Sequence, residues 1–370
     1  MQIATHLRQE KFLLIALVVA ILGFFIEHSI LEAGKTVSLI AAALFVGVIV
    51  LASTRVAHHA EVLAHKVGDP YGTMILTLSA VAVEVLILAI MMGSNSSPTL
   101  VRDTIYSAVM LDINGILGLA ALLGGLRHGE QPYNDDSSRT YTVMIMTAVG
   151  ISMIVPEFVP RESWHYYSAF TICAMIALYG VFLKMQVGPH SYFFSYTYPR
   201  TQKAAAAGTA SAPQEAAAED SAAVSIGIIL LGVLIIGFLA EFMSVFMGEG
   251  LEGSGAPIAL TAVVVAAISA APEILTAMRA ALKNRMQSVV NIAMGASLST
   301  VILTVPVMEG IALYTGQPFI MAMTPVQTVM VAITLVVAAI NLNDGQTNAI
   351  EGMTHFVLFA TFIMLTMIGL

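Results

Sequence analysis

Charge is scarce in this chain. Only 10% of its residues are Asp, Glu, Lys or Arg, while 58% are hydrophobic. Cysteine is nearly absent: Cys173 stands alone inside an apolar run. One cysteine excludes an internal disulfide framework and any cysteine-based zinc centre. No basic domain is present that could bind nucleic acid. A phosphate-cradling glycine loop and a Ser/His/Asp arrangement are also missing. His58, His59 and His65 surround Glu61, but the order His-His-Ala-Glu-Val-Leu-Ala-His lacks the H-E-x-x-H spacing that places two ligands on one helical face. A charged helix end accounts for them. The expectation is therefore a protein that is not an enzyme and needs no cofactor.

What the chain has instead is apolar length. Its mean hydropathy is +0.87, and apolar runs repeatedly reach the length needed to cross a bilayer. The reading is an all-α polytopic membrane protein with the lipid bilayer as its surroundings. Eleven spans are predicted, at about 12–30, 36–54, 71–92, 100–125, 141–159, 166–187, 223–247, 256–282, 287–314, 322–342 and 351–369. Arg8 and Lys11 before Phe12–Phe25 resemble the start of a signal peptide. No small-residue cleavage pattern follows, so the segment is kept as the first helix. Most links are short. The exception, 188–222, is rich in alanine and carries Glu215, Glu219 and Asp220, which reads as a flexible, mildly acidic linker.

Charge placement predicts an orientation. With a cytoplasmic N-terminus, the inner segments hold Arg8, Lys11, Arg55, Lys66, Arg127, Arg139, Lys184, Arg200, Lys203, Arg279, Lys283 and Arg285. The outer segments hold Lys35, Arg102 and Arg161, so twelve against three accounts for all 15 basic residues. The positive-inside rule supports that arrangement, and eleven spans then place the C-terminus outside. Trp164, Tyr166 and Tyr167 fall at the outer interface as aromatic anchors.

Against this apolar background a few acids stand out. Glu273 lies in Ser269-Ala-Ala-Pro-Glu273-Ile-Leu-Thr276, inside the run Ala256–Leu282. A carboxylate at that depth costs roughly 2.5–3.5 kcal/mol on insertion scales. Pro272 directly before it removes a backbone donor. Read alone, the stretch is either a kinked helix with a structurally bonded acid or an ion or proton site. Glu84, in the run Tyr71–Met92, supplies a counterpart. Setting aside 1–35 as the start and first helix, the chain divides into 36–187, the linker 188–222, and 223–370. Each half holds five spans, the halves are oppositely oriented, and each carries a glutamate in its second helix. That is the pattern of an inverted repeat with its site at mid-membrane. Ala60-Glu61 and Ala240-Glu241 echo each other in the first helix of each half. These two acids are expected at a vestibule or gate, with Glu241 the more buried. Asp112 is either a third site carboxylate or a partner of Asn114 or a neighbouring helix. Glu27, Glu157 and Glu309 fall near span ends and read as interfacial; His355 reads as a packing histidine.

At these residues the chain resembles the cation/calcium exchanger superfamily, most closely its ChaA-type bacterial cation–proton antiporters. The resemblance rests on Gly68-Asp-Pro-Tyr-Gly72 with Thr77-Leu-Ser79 and Glu84, and on Ala271-Pro-Glu273 followed by Asn291-Ile-Ala-Met-Gly-Ala-Ser297. It implies that Glu84 and Glu273 coordinate the cation and exchange protons, that Asn291, Gly295 and Ser297 belong to the second repeat's site helix, and that the protein sits in a bacterial inner membrane. Asp69 departs from an expected glutamate. Ala-Val-Ala-Val before Glu84 lacks the family's Asn- and Pro-containing run, and Asp112 and Asn114 stand where Gly-Ser is commoner.

Two glutamates can neutralise Ca²⁺, which takes six to eight oxygens at about 2.3–2.6 Å. Ser79, Ser269, Ser297 and Asn291 are the secondary candidates, with Asp112 and Asn114. No soft ligand stands near either glutamate, which argues against copper, iron or zinc as cargo. The expected activity is proton-coupled export of Ca²⁺, with Na⁺ or K⁺ as alternative cargo. A passive channel is the competing class, and the sequence leaves a homo-oligomer open.

Overall fold

An apolar chain crosses a bilayer only as helices or as a closed barrel, because hydrocarbon leaves unpaired backbone groups unsatisfied. The computed structural model takes the first route and describes residues 10–67, 71–94, 97–196, 222–253, 257, 259–317 and 319–370. Its helices are α1 Lys11–Glu32, α2 Lys35–Val67, α3 Tyr71–Ser94, α4 Leu100–His128, α5 Asp135–Phe158, α6 Trp164–Val187, α7 Ala222–Leu251, α8 Ala259–Ser269, α9 Ala271–Leu282, α10 Met286–Thr315, α11 Pro325–Asn341 and α12 Ala349–Met367. A pair of two-residue strands, β1 Gln131–Pro132 and β2 Gln346–Thr347, runs antiparallel.

Eight of these helices are long and apolar enough to span a membrane, or nine when α8 and α9, bent by 57°, count as one broken span. The other two expected spans correspond to shorter apolar helices, Leu78–Gly93 within α3 and Pro325–Asn341. The break between α8 and α9 follows from sequence. Pro272 falls in the first turn of α9, where its missing donor would have no partner anyway. Ser269 closes α8 by donating to the carbonyls of Val265 and Ala266 at 3.2 and 3.0 Å. Other ends carry conventional signals. Thr324 and Gln327 form a reciprocal capping box ahead of α11, with Pro325 in its first turn. Asn348 accepts from the backbone of Ile350 and Glu351 at the start of α12.

The loops collect at two ends. At the basic end, β1 and β2 pair, Gln131 Nε2 donates to Ala281 O and Asn284 Oδ1 at 3.0 Å each, and His128 Nε2 donates to Leu282 O. At the opposite end, Ile320 N donates to Pro98 O and Met323 N to Met153 O, both at 2.9 Å. There Arg102 pairs with Asp103 and donates to Ala322 O, while Gln327 also donates to Asp103. Links 4–5, 8–9 and 10–11 of the expected spans thus meet at one end, and links 3–4, 5–6 and 9–10 at the other. The basic end is fastened again where Glu10 accepts from Arg55 and from His59 Nε2 at 3.0 Å, with Ser225 of α7 facing the second His59 nitrogen.

α4 and α10 are the most buried spans and form the centre, while α1, α6 and α12 turn much of their surface outward. Phe24, Phe25, Phe170 and Ile350 are exposed on those outer helices, as a lipid-facing belt requires. α2 and α7 pack together through Phe45, Phe242 and Phe246 in edge-on and stacked contacts. α4 and α12 approach so closely that a Cβ on Gly118 would meet His355 Cβ at 2.8 Å and the Phe356 backbone at 2.9 Å. Small residues are the means by which membrane helices reach that distance.

Candidate functional site

Two central helices lose α-helical regularity at mid-length. α4 widens into π-helix over Leu111–Leu117 and α10 over Thr300–Thr304. An extra residue per turn re-aims the side chains around it, and such turns recur at functional sites. The first carries Asp112, and the second begins with Thr300. Between them, the broken junction of α8 and α9 and the unbroken α3 complete a cavity of about 150 Å³. Glu84, Asp112, Ser269, Glu273, Asn291, Gly295, Ser299 and Thr300 line it. A smaller one of about 30 Å³, lined by Ser53, Ser79, Ser269 and Glu273, lies beside it. Glu273 and Ser269 therefore border both.

Glu84 and Asp112 are buried here and Glu273 is partly buried, and none has a basic side chain paired with it among the described residues. Glu84 is 4% exposed; its Oε2 accepts from Thr300 Oγ1 at 2.9 Å, while its Oε1 has no partner. Glu273 sits in the first turn of α9, and its Oε2 is buried without a partner as well. Asp112, also buried, lies within electrostatic reach of both glutamates, and they of each other. None of the ion pairs among the described residues involves these three acids. A buried charge normally requires a counter-charge and hydrogen bonds. Acids left this way are suited to hold protons, or a cation that arrives from outside. Among the described residues, no three His, Cys, Asp or Glu side chains are grouped so as to hold an ion. At roughly 30 Å³ per water, the cavity has room for a cation that keeps part of its hydration.

The sequence candidates distribute unevenly. Glu84, Glu273, Asp112, Ser269 and Asn291 share the larger cavity, and Ser79 borders the smaller. Asn291 is already engaged: its amide donates to Phe194 O at 2.9 Å and its oxygen accepts from Gln287. That bond draws the segment after α6 across the cavity's basic end. Ser297 is fully buried and does not line the cavity, but its hydroxyl lies against Asp112, which does. Asn114 points elsewhere. It donates to Thr334 Oγ1 at 2.7 Å and meets His355 Nδ1 at 2.9 Å through its Oδ1, joining α4 to α11 and α12. His355 is thus a packing residue with one satisfied nitrogen; its Nε2 has no partner.

Several expectations need correction. Glu241 is exposed on α7 rather than buried, since hydropathy does not tell which face of an apolar helix turns inward. Glu309 is 2% exposed rather than interfacial, because the opposite end of α10 is covered by α6. The side chains of Glu61 and Thr77, the stretch Gly68–Pro70 and the acids of the linker lie outside the described residues. Sequence reasoning passed over Ser299 and Thr300. The available signal was a run of hydroxyls, Ser297, Ser299, Thr300 and Thr304, on a helix already singled out.

Comparison with known proteins bears on this geometry. The profile of the sodium/calcium exchanger protein family matches residues 37–188 and 224–368. The sodium-potassium/proton antiporter ChaA of Escherichia coli (strain K12) is 32% identical over 313 residues, covering 84% of this chain and 84% of its own. A Ca²⁺/H⁺ antiporter of Aphanothece halophytica is 26% identical over 314 residues, covering 82% and 83%. Among solved structures, native YfkE superposes with a TM-score of 0.70 at 18% identity, over 92% of this chain and 99% of that one. At that identity the likeness concerns the fold.

Proposed function

Because this chain belongs to the sodium/calcium exchanger protein family, we propose that it is a secondary antiporter moving Ca²⁺ against protons through a site shared by Glu84 and Glu273. One observation carries the reading: both glutamates face a single cavity, each with a buried carboxylate oxygen that lacks a well-formed hydrogen bond among the described residues. A buried carboxyl is stable protonated, or ionised with a cation beside it, and the two states exclude each other. Competition for one site couples the two fluxes without any covalent step. Two carboxylates neutralise a divalent ion; Thr300, Ser269 and retained water add oxygens toward the number Ca²⁺ takes.

Alternating access needs two halves that move against each other. Residues 36–187 and 223–370 supply them in this proposal, with α3 and the α8–α9 pair as opposed site helices. Only the second is broken, so the swing at Ala270 and Pro272 falls to that half. The larger cavity's lining runs along α10 from Thr300 back to Asn291, toward the basic end. We assign that end to the cytoplasm of a bacterial inner membrane by the positive-inside rule, with Ca²⁺ loading there. A mainly monovalent exchange is the second reading, favoured by the sodium and potassium in the name of the Escherichia coli relative.

The test uses inverted vesicles preloaded with acid and supplied with Ca²⁺, Na⁺ or K⁺ in turn. Wild type should release protons on addition of its cargo. Glu84→Gln and Glu273→Gln should insert normally and release none. Robust release by either variant refutes the shared pair. A steady current without proton release would mark a channel.

A further inference from the structure

Among the described residues two buried acids lie outside this cavity: Asp103, which pairs with Arg102, and Glu309. Glu309, on α10 beyond the π-helical turn, is 2% exposed. Its Oε1 meets Ser168 Oγ of α6 at 3.5 Å, the limit of a hydrogen bond, and its Oε2 has no partner. Among the described residues no Lys, Arg or His pairs with it. The titratable side chain that bears on it from α6 is Tyr167, whose hydroxyl is committed to Ile151 O at 2.6 Å. A carboxyl so placed is costly to keep and points to function by default.

Its position along α10 says which function. Toward the centre, Thr300 donates to Glu84, and Thr304 follows four residues later, fully buried with its hydroxyl also turned toward Glu84. Glu309 follows five residues after that, so the three succeed one another at about one per helical turn. Toward the opposite end, a mostly apolar vestibule of about 810 Å³ that also carries Glu157, Arg161, His165 and Gln317 reaches Ala312, three residues from Glu309. Groups able to carry a proton thus extend from that vestibule to Glu84. They leave the cation cavity, which runs from Glu84 toward the basic end, to one side.

Resting on the shared-site reading, we propose that Glu309 relays protons from the far-end vestibule to Glu84 by a route the cation does not use. Glu309 rests protonated. It gives its proton up toward Thr304 and bridging water, and Glu84 binds one in turn as its cation leaves. Vestibule water then reprotonates Glu309, which returns to its resting state. Nothing on the route is oxygen-rich enough to strip a divalent ion of its water, so the path selects protons.

The test is full-length protein in proteoliposomes, with two fluxes measured: Ca²⁺ uptake driven by a pH difference, and exchange of labelled for unlabelled Ca²⁺ at equal pH. In Glu309→Gln the proton-driven flux should fall about tenfold or more, the scale of a lost proton-transfer group, while Ca²⁺/Ca²⁺ exchange persists. Glu309→Asp should recover much of the loss. Ser168→Ala, which removes the acid's one polar contact, should shift the pH profile of the driven flux alone. The proposal is overturned if Glu309→Gln keeps wild-type proton-driven flux at every pH. It is equally overturned if both fluxes fall together and Asp restores neither. Failure of the shared-site reading looks different: wild type itself would show Ca²⁺/Ca²⁺ exchange without any response to a pH difference.

Discussion

Buried oxygen atoms without partners distinguish the two candidate site glutamates from Asn114. Glu84 and Glu273 each keep one, while Asn114 keeps none. Asn114 spans two helices through Thr334 and His355, so its replacement should cost stability before transport. Asn114→Ala removes both bonds and strands buried groups, at about 1–3 kcal/mol for each buried group left unpaired. The expected outcome is a lower midpoint of thermal unfolding in detergent with the cation affinity of surviving protein near wild type. A large affinity loss at unchanged stability would return Asn114 to the site. Glu84, Asp112 and Glu273 were legible in the sequence because an acid inside an apolar run has few explanations. Thr300 was not, since hydroxyls are common in membrane helices and which of Ser297, Ser299, Thr300 and Thr304 faces the site depends on the π-helical turn. Glu309 was misjudged because counting from span ends ignores what covers them.

Helices carry the next level of constraint. The α8–α9 break could be read from Pro272, whereas the contact of α4 with α12 could not, because it depends on which faces meet. Gly352 stands where an added Cβ would collide with the backbone of Ala121 and Leu122. Backbone cannot give way as a flexible side chain can, so Gly352→Ala should destabilise by about 1–3 kcal/mol. Loss of folded protein on heating, measured by fluorescence-detected size exclusion, reads this directly. Gly310→Ala, with nothing near its Cβ position, is the matched control. The Glu10 clamp is a second test at this scale. Burial opposes ionisation of Glu10, but the bonds and charges of Arg55 and His59 outweigh it and hold its carboxyl below the ordinary value. A depressed carboxyl contributes stability above its unfolded value and loses it as pH falls through the folded one. Wild type should therefore be more stable than Glu10→Gln near neutral pH. The difference should vanish below the usual carboxylate range; a gap that widens on acidification would contradict the assignment.

For the molecule as a whole, the helical membrane architecture was foreshadowed by hydropathy, and the crowding of loops at two ends follows the expected span order. Span lengths were foreshadowed less well. α11, at 17 residues, is shorter than the expected 322–342, because the capping box of Thr324 and Gln327 starts it later. Cargo lies beyond either view: the same two carboxylates suit Ca²⁺ or a pair of monovalent ions, and the relatives carry both in their names.

The claim at the centre is that one buried pair of acids binds a proton or a cation and never both. Calorimetric titration of the purified protein with Ca²⁺, repeated in buffers of different ionisation enthalpy, counts protons released per ion bound. The account predicts about one or more per Ca²⁺ in wild type, as expected when ligands must deprotonate, with both binding and release lost in Glu84→Gln and Glu273→Gln. Tight Ca²⁺ binding with no proton released would contradict it.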